Sequence, residues 1–100
     1  MMDVPSRELW RQLVRAATSS SNNLEEADEA SSDADFIAKM KIALREAKES
    51  RRCIRFITGC RLANGVKVAS FEDEARQIAA IFATIVINTK RRLENESRKL

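Results

Sequence analysis

One hundred residues are enough for one domain, and a chain this short buries a modest core, so a second copy or a partner would add to its stability. Two glycines, one proline and 5% aromatic residues among many strong helix formers argue against a β-sandwich or barrel and predict an all-α fold. The net charge of +3 is uneven: residues 1–50 hold seven Lys or Arg against ten Asp or Glu, a net −3, whereas residues 51–100 hold eleven against five, a net +6. This asymmetry indicates an anionic partner for the C-terminal half, self-association of opposite surfaces, or ordinary solubilisation of helix faces.

The first predicted helix runs from about residue 5 to residue 29. Pro5 suits a first helical turn, where its missing N–H has no partner to lose. An apolar face follows, made of Leu9, Leu13, Ala16 and Ala17. Residues 18–23, TSSSNN, favour a break, because Ser, Thr and Asn side chains compete for backbone hydrogen bonds. The segment is therefore predicted to be either one helix weakened in its middle or two short helices.

The second predicted helix spans residues 33–59. Ser32 and Asp35 resemble a capping box in which Asp replaces the usual Glu, and acidic residues at this end suit the helix dipole. Its apolar row consists of Phe36, Met40, Ala43, Leu44, Ala47, Ile54 and Ile57. Gly59 predicts the helix end and Asn64-Gly65 a turn. A small β-hairpin around that turn, flanked by Leu62, Val66 and Val68, is the less favoured alternative.

The third predicted helix spans residues 71–95. Ser70 serves as its cap, with Asp73 three residues later. Its apolar row consists of Phe71, Ala75, Ile78, Phe82, Ile85, Thr89 and Leu93, and the last eight residues should fray. Residues 1–100 are thus predicted to form one domain, in which three helices pack as an antiparallel up-and-down bundle.

The residue types argue against catalysis. Without histidine the chain has no imidazole base, and its two glycines cannot form a phosphate-binding loop. Cys53 and Cys60 lie too far apart on one helix for a disulfide, and two cysteines without histidine are a poor zinc site. We therefore expect a non-enzyme with no cofactor and no metal. The sequence lacks a secretory signal and any run of roughly 18 apolar residues, so we expect a cytoplasmic protein without a membrane anchor.

A charged stripe is the strongest functional signal from the residues alone. Its members recur at helical spacing on the second helix and are Lys41, Arg45, Lys48, Arg52 and Arg55. At about 100° per residue they share one helix side, where they could follow the phosphates of RNA or DNA. Carboxylates do not neutralise this stripe in the sequence pattern, and Phe56 is expected well round the helix, so base stacking is not predicted. A solvated helix face is the alternative, and Arg51 is expected to pair with a carboxylate from another helix.

Three groups of residues follow a known family pattern. They are Arg15, Ala16 and Ser19; then Asn23, Glu26 and Ala27; then Phe36, Ile37, Lys39, Ile42, Ala43, Leu44, Glu46, Glu49 and Ser50. On these residues the chain, from residue 7 to about residue 93, resembles the four helix bundle protein family. That family includes proteins encoded in intervening sequences of bacterial 23S ribosomal RNA genes. It is similar in fold to the accessory protein of diversity-generating retroelements.

The resemblance implies a homo-oligomer, often a pentamer, without catalytic activity. For the retroelement relative it implies a basic surface that binds nucleic acid and a reverse transcriptase. The polar motif residues Arg15, Asn23, Glu26, Glu46 and Glu49 are then structural, and we expect Asn23 and Glu26 to lie in the polar helix interior or a helix–helix contact. Family members usually have one more helix ahead of the segment that starts near Pro5, so the chain resembles a shortened member, three helices of a four-helix bundle, with exposed apolar surface. Two hypotheses follow: an oligomeric nucleic-acid-binding bundle, or a protein-interaction scaffold that binds no nucleic acid.

Overall fold

In a computed structural model of the protein, residues 4–60 and 65–99 are described, and within them the chain forms three α-helices and no strand. The first, α1, spans Val4–Asp28; α2 spans Asp33–Gly59; and α3 spans Gly65–Arg98. The predicted all-α class is confirmed. The bounds of α2 agree with the prediction, whereas α3 begins earlier and ends later than residues 71–95.

The polar segment in the middle of α1 does not interrupt the helix. Residues 18–23 are helical throughout, so the alternative of two short helices is wrong. Ser20 is buried, and its hydroxyl donates to the carbonyl oxygen of Ala43 on α2 over 2.9 Å. The Asn23 amide donates to the carbonyl oxygen of Ser19 over 2.9 Å. Packing against α2 therefore overrides the weak helix propensity of this segment, and its side chains bond within or between helices.

The start of α2 follows the predicted cap. Ser32 is extended, and its hydroxyl accepts a hydrogen bond from the backbone N–H of Asp35 over 3.1 Å. Asp33 and Asp35 lie in the first turn, where negative charge suits the helix dipole. At the other end the backbone N–H of Cys60 donates to the carbonyl oxygen of Phe56 over 2.9 Å, which closes the last turn.

The start of α3 was predicted incorrectly. Gly65 is already helical and Ser70 lies inside the helix, because no breaker separates them. Asp73 does not cap α3; its carboxylate accepts hydrogen bonds from the side chains of Arg76 and Gln77. The β-hairpin alternative is wrong, since Val66 and Val68 are in α3. Leu62 and Asn64, which complete the predicted turn, lie outside the described residues.

The C-terminal end of α3 is also more regular than expected. The helix continues to Arg98 through most of the segment predicted to fray. Arg92 contributes to this end, because its guanidinium contacts the Glu96 carboxylate one turn later over 3.0 Å. Both side chains are exposed, so solvent screens this pair and its contribution to the helix is small.

The helices pack side by side with α2 in the middle. Ser20 meets Ala43, and Arg92 meets Asp33 over 3.2 Å, so early residues of α2 contact late residues of both neighbours. Consecutive helices are therefore antiparallel. The described parts of α1 and α3 both contact α2 and make no close backbone approach to each other. The Cα atoms accordingly occupy a thin slab of 60 × 21 × 15 Å.

The core is a narrow seam of small side chains along α2. Its buried cluster consists of Ala27, Met40, Ala43, Ala47, Ala79, Phe82 and Val86. Alanines predominate, which lets the helix backbones approach closely but buries little apolar area. Met40 and Ile57 are the largest side chains that are fully buried in the described part of the chain. A seam of this kind leaves much of each flanking helix exposed, and this surface shapes the candidate sites.

Candidate nucleic-acid interface

The basic face consists of Lys41, Arg45, Lys48, Arg52 and Arg55, all of which are exposed on α2. Ala47 and Ser50, on the same helix, are buried. Helical geometry places these two buried residues on the side of α2 opposite the basic face. Within the described part of the chain, Lys41, Arg45 and Lys48 form no ion pair. These three cations are therefore available to an anionic ligand.

A lysine from α3 extends the basic face. The ammonium of Lys90 lies beside that of Lys41 and lowers the Lys41 pKa, by close polar contact first and by charge repulsion second. Two exposed ammonium groups from different helices therefore share one small region. An anion between them would relieve the repulsion that each imposes on the other. The sequence pattern of α2 alone could not show this neighbour, because it depends on the pairing of α2 with α3.

Carboxylates partly neutralise the C-terminal end of the basic face, contrary to the prediction. Arg52 pairs with Glu49 one turn earlier, and Arg55 pairs with Glu72 of α3 over 3.4 Å. Glu49 raises the pKa of Arg52, chiefly through their hydrogen bond. Both arginine side chains remain more than 60% exposed, so solvent screens these pairs and they are weak.

Arg51 differs from its prediction as well. It forms no ion pair in the described part of the chain, and its Nε atom is buried without a hydrogen-bond partner. The expected carboxylate of another helix is therefore not beside it. The Glu72 carboxylate of α3 contacts Arg55 and not Arg51.

Phe56 was predicted to lie well round the helix, but it lies at the edge of the basic face. Its ring is 58% exposed, and it lines a surface depression together with Arg52, Arg55, Gly59 and Cys60. Phe56 follows Arg52 by one turn, so the two side chains share a helix side. An exposed aromatic ring beside Arg52 could contact a base while the cations contact phosphates.

An apolar groove occupies the opposite face of the slab. It lies between α1 and α3 above α2, and Ala17, Leu24, Ala47, Ile78 and Phe82 line it together with serines of α1 and α2. The groove is open and has a volume of about 250 Å³. Two of its lining side chains are large and exposed, Leu24 at 39% and Ile78 at 46%. The exposed apolar surface expected from the family resemblance is therefore present.

The family-motif residues connect α1 to α2. Arg15 contacts Glu46 over 3.3 Å, and Lys39 contacts Glu26 over 3.0 Å. Glu26 raises the pKa of Lys39, first through this hydrogen bond and then through its charge. Asn23 is half-buried and bonds within α1, and Glu49 bonds Arg52 within α2. Three of the motif residues thus make cross-helix ion pairs, and none of the five lies in a cluster suited to acid–base chemistry.

The described residues contain no group of Cys, Asp or Glu arranged to hold a metal ion. The two cysteines are in separate environments: Cys53 is buried and Cys60 is exposed. Burial raises the pKa of the Cys53 thiol. Among the helices described, none combines the length and apolar character that crossing a membrane requires.

Together these features define a small antiparallel helical bundle with a basic face on one side and an apolar groove on the other. The family model described as 23S rRNA-intervening sequence protein matches residues 5–84, so the chain belongs to that family. A crystal structure from Bacteroides thetaiotaomicron VPI-5482, of a protein with unknown function from the S23 ribosomal protein family, is similar to it. The two share 29% identity and a TM-score of 0.74, over 78% of this chain and 72% of the other. No curated protein matches the chain.

Proposed function

We propose that this protein is a non-enzymatic, cytoplasmic, homo-oligomeric bundle that binds nucleic acid through its basic face. The observation that carries this proposal is the group of exposed cations at Lys41, Lys90, Arg45 and Lys48, which lies on two helices and has no carboxylate partner in the described residues. Charges grouped in this way repel each other in the free protein. Phosphate groups would remove that repulsion and release counterions, which favours binding.

The dimensions of the basic face suit a nucleic-acid backbone. From Lys41 to Arg55 the helix rises by roughly 21 Å, at about 1.5 Å per residue. That length is enough for contacts to several successive phosphates. Lysine and arginine contacts to phosphate carry no base identity, so binding through these cations should be salt-sensitive and weakly dependent on sequence. The family name, 23S rRNA-intervening sequence protein, makes RNA the first ligand to test.

The apolar groove supports self-association. A second copy that faces the groove would cover Leu24 and Ile78, which a small bundle otherwise leaves in water. Because the groove and the basic face lie on opposite sides of the slab, association through the groove leaves the cations accessible.

The test compares two variants with equal loss of charge. One changes Lys41, Arg45 and Lys48 to Gln, which removes three cations from the basic face at little cost in helix propensity. The control changes Arg7, Arg11 and Arg98 to Gln, three exposed cations outside that face. Binding to a fluorescein-labelled RNA is measured by anisotropy at about 50 mM salt, with circular dichroism to confirm folding.

The first variant should lose most of its RNA affinity, and the control should keep it. Equal losses would show that only net charge matters and would contradict a defined interface. If the parent binds neither RNA nor DNA at low salt, the scaffold hypothesis replaces the nucleic-acid one.

A further inference from the structure

We infer that Phe56 is a stacking platform for an unpaired base, so the basic face selects single-stranded over double-stranded nucleic acid. This inference rests on the proposed function, because the cations of the basic face supply the backbone contacts. To the proposed function it adds which class of nucleic acid is bound, and it identifies Phe56 as a residue that contacts a base.

The exposure of Phe56 has no structural explanation within the described part of the chain. Its neighbours Cys53 and Ile57, at 2% and 1% exposure, face the interior, whereas 58% of Phe56 faces solvent. Single exposed apolar residues are common on protein surfaces and carry no meaning alone. Here, however, the exposed residue is an aromatic ring beside Arg52, and it lines one depression together with Arg52 and Arg55.

The surroundings of the ring leave space for a planar group. The depression beside Phe56 has a volume of about 360 Å³, within the range of about 300–1,000 Å³ that small-molecule sites occupy. Gly59 lies one turn beyond Arg55, and a Cβ atom added to it would meet nothing within 4 Å. Among the described residues, Gly59 therefore presents no steric obstacle to a base that approaches the ring.

The two guanidinium groups beside the ring are positioned to hold the adjoining phosphates. Arg52 and Arg55 line the same depression as Phe56. Their carboxylate partners, Glu49 and Glu72, hold them through exposed ion pairs that a phosphate can displace, because such pairs contribute little in water. A base on the ring and phosphates on the arginines are together the arrangement by which proteins bind single strands.

A double helix cannot use this site. Its bases are already stacked on each other, so a ring on the outside of a helix reaches only the backbone. A duplex would therefore gain the contacts of the cations and lose the contribution of Phe56. The ring also gives little sequence preference, because every base has a face that can stack.

The experiment uses the full chain and three labelled probes with equal numbers of phosphates: a uridine 12-mer, an abasic 12-mer and a duplex RNA. The parent should bind the uridine strand roughly tenfold more tightly than the abasic strand, since stacking contributes about 1–3 kcal/mol per base. Phe56→Leu keeps an apolar side chain of similar reach and should bind the uridine and abasic strands equally. Phe56→Tyr keeps the ring and should retain the preference. Circular dichroism of both variants confirms that the helices are intact.

Three results separate the possible failures. A parent that binds uridine and abasic strands equally, or a Phe56→Leu variant that keeps the preference, overturns the stacking inference and leaves phosphate binding by the cations intact. A parent that prefers the duplex would likewise overturn the stacking inference and leave phosphate binding by the cations intact. A parent that binds none of the probes at low salt overturns the proposed function together with this inference.

Discussion

The hydroxyl of Ser20 donates a hydrogen bond to the carbonyl oxygen of Ala43 over 2.9 Å, across the contact between α1 and α2. Ser20 is 8% exposed and Ala43 is fully buried, so the bond lies where the two backbones approach closely. The carbonyl of Ala43 belongs to a helix and thus accepts a second hydrogen bond. A small polar residue suits this position, because it fills little space and its hydroxyl has a partner.

Ser20→Ala should therefore lower the free energy of unfolding by about 1 kcal/mol, the net value of one intramolecular hydrogen bond. Ser20→Leu should cost more, about 1–3 kcal/mol, because the added atoms force α1 and α2 apart. Urea unfolding followed by circular dichroism measures both. The neighbouring Ser21 is exposed, and Ser21→Ala should change stability by less than about 0.5 kcal/mol. Equal effects at the two positions would contradict the buried contact.

Asn23→Ala should lower the melting temperature slightly. The change removes the hydrogen bond from the Asn23 amide to the Ser19 carbonyl, which contributes about 1 kcal/mol to stability. Alanine is the better helix former, and this offsets the loss by up to about 0.7 kcal/mol. Thermal unfolding of the parent and the variant gives the difference. Should the melting curve stay unchanged while RNA affinity falls, Asn23 would be a ligand contact and not a structural residue.

Ile78→Glu should dissociate the oligomer. The carboxylate would lie in the apolar groove, and loss of one buried isoleucine corresponds to about 1.5–3 kcal/mol, or an association about tenfold to a hundredfold weaker. Ile87→Glu is the matched control, since Ile87 is similarly exposed, at 49% against 46%, and lies about 180° round α3. Light scattering should show the Ile78 variant approaching the 11.3 kDa monomer while the control keeps the parental mass. A parent that is monomeric at micromolar concentration would rule out self-association through this groove.

The salt dependence of RNA binding should report on the basic face directly. Each phosphate contact to a single strand contributes about −0.7 to the slope of log K against log salt concentration. Changing Lys41, Arg45 and Lys48 to Gln should therefore make the slope less steep by about 2. Anisotropy titrations between roughly 50 and 200 mM salt measure it. A slope that the triple variant leaves unchanged would place the phosphate contacts elsewhere on the protein.

The two thiols should react at very different rates. Cys60 is exposed, whereas Cys53 is buried and has a raised pKa, so little of it is the reactive thiolate near pH 7. Under reducing pretreatment, a thiol reagent should label the native protein once quickly and the unfolded protein twice. Cys60→Ser should abolish the fast reaction. Fast labelling of that variant would mean that the α1–α2 contact opens readily.

Local signals predicted α2 well, and tertiary contacts explain the failures elsewhere. Ser32, Asp35 and Gly59 are capping and terminating residues whose effect is confined to neighbouring backbone, so the bounds of α2 were predictable. The continuity of α1 depends on the burial of Ser20 against Ala43, which is 23 positions away. Helix propensity is a local property and cannot predict this contact.

In the candidate site, too, local features were predictable from the sequence and features that depend on tertiary contacts were not. The spacing of the basic residues on α2 was readable from the sequence, as was their exposure. The additional Lys90, and the pairing of Arg55 with Glu72, arise from the alignment of α2 with α3. The place of Phe56 on the basic face was available from helical geometry, and its expected position was simply wrong.

The central position of α2 has a consequence for how the chain folds. α1 and α3 each contact α2, the helix next to them in sequence, so α1–α2 and α2–α3 are two helical hairpins. The contacts in each hairpin join residues that are close in sequence, so the contact order is low. Such hairpins close quickly, on the microsecond to millisecond scale typical of helical bundles. Both hairpins need the same helix, however. Loss of α2 would leave α1 and α3 without a partner in the chain, so the two hairpins should unfold together in a single cooperative transition.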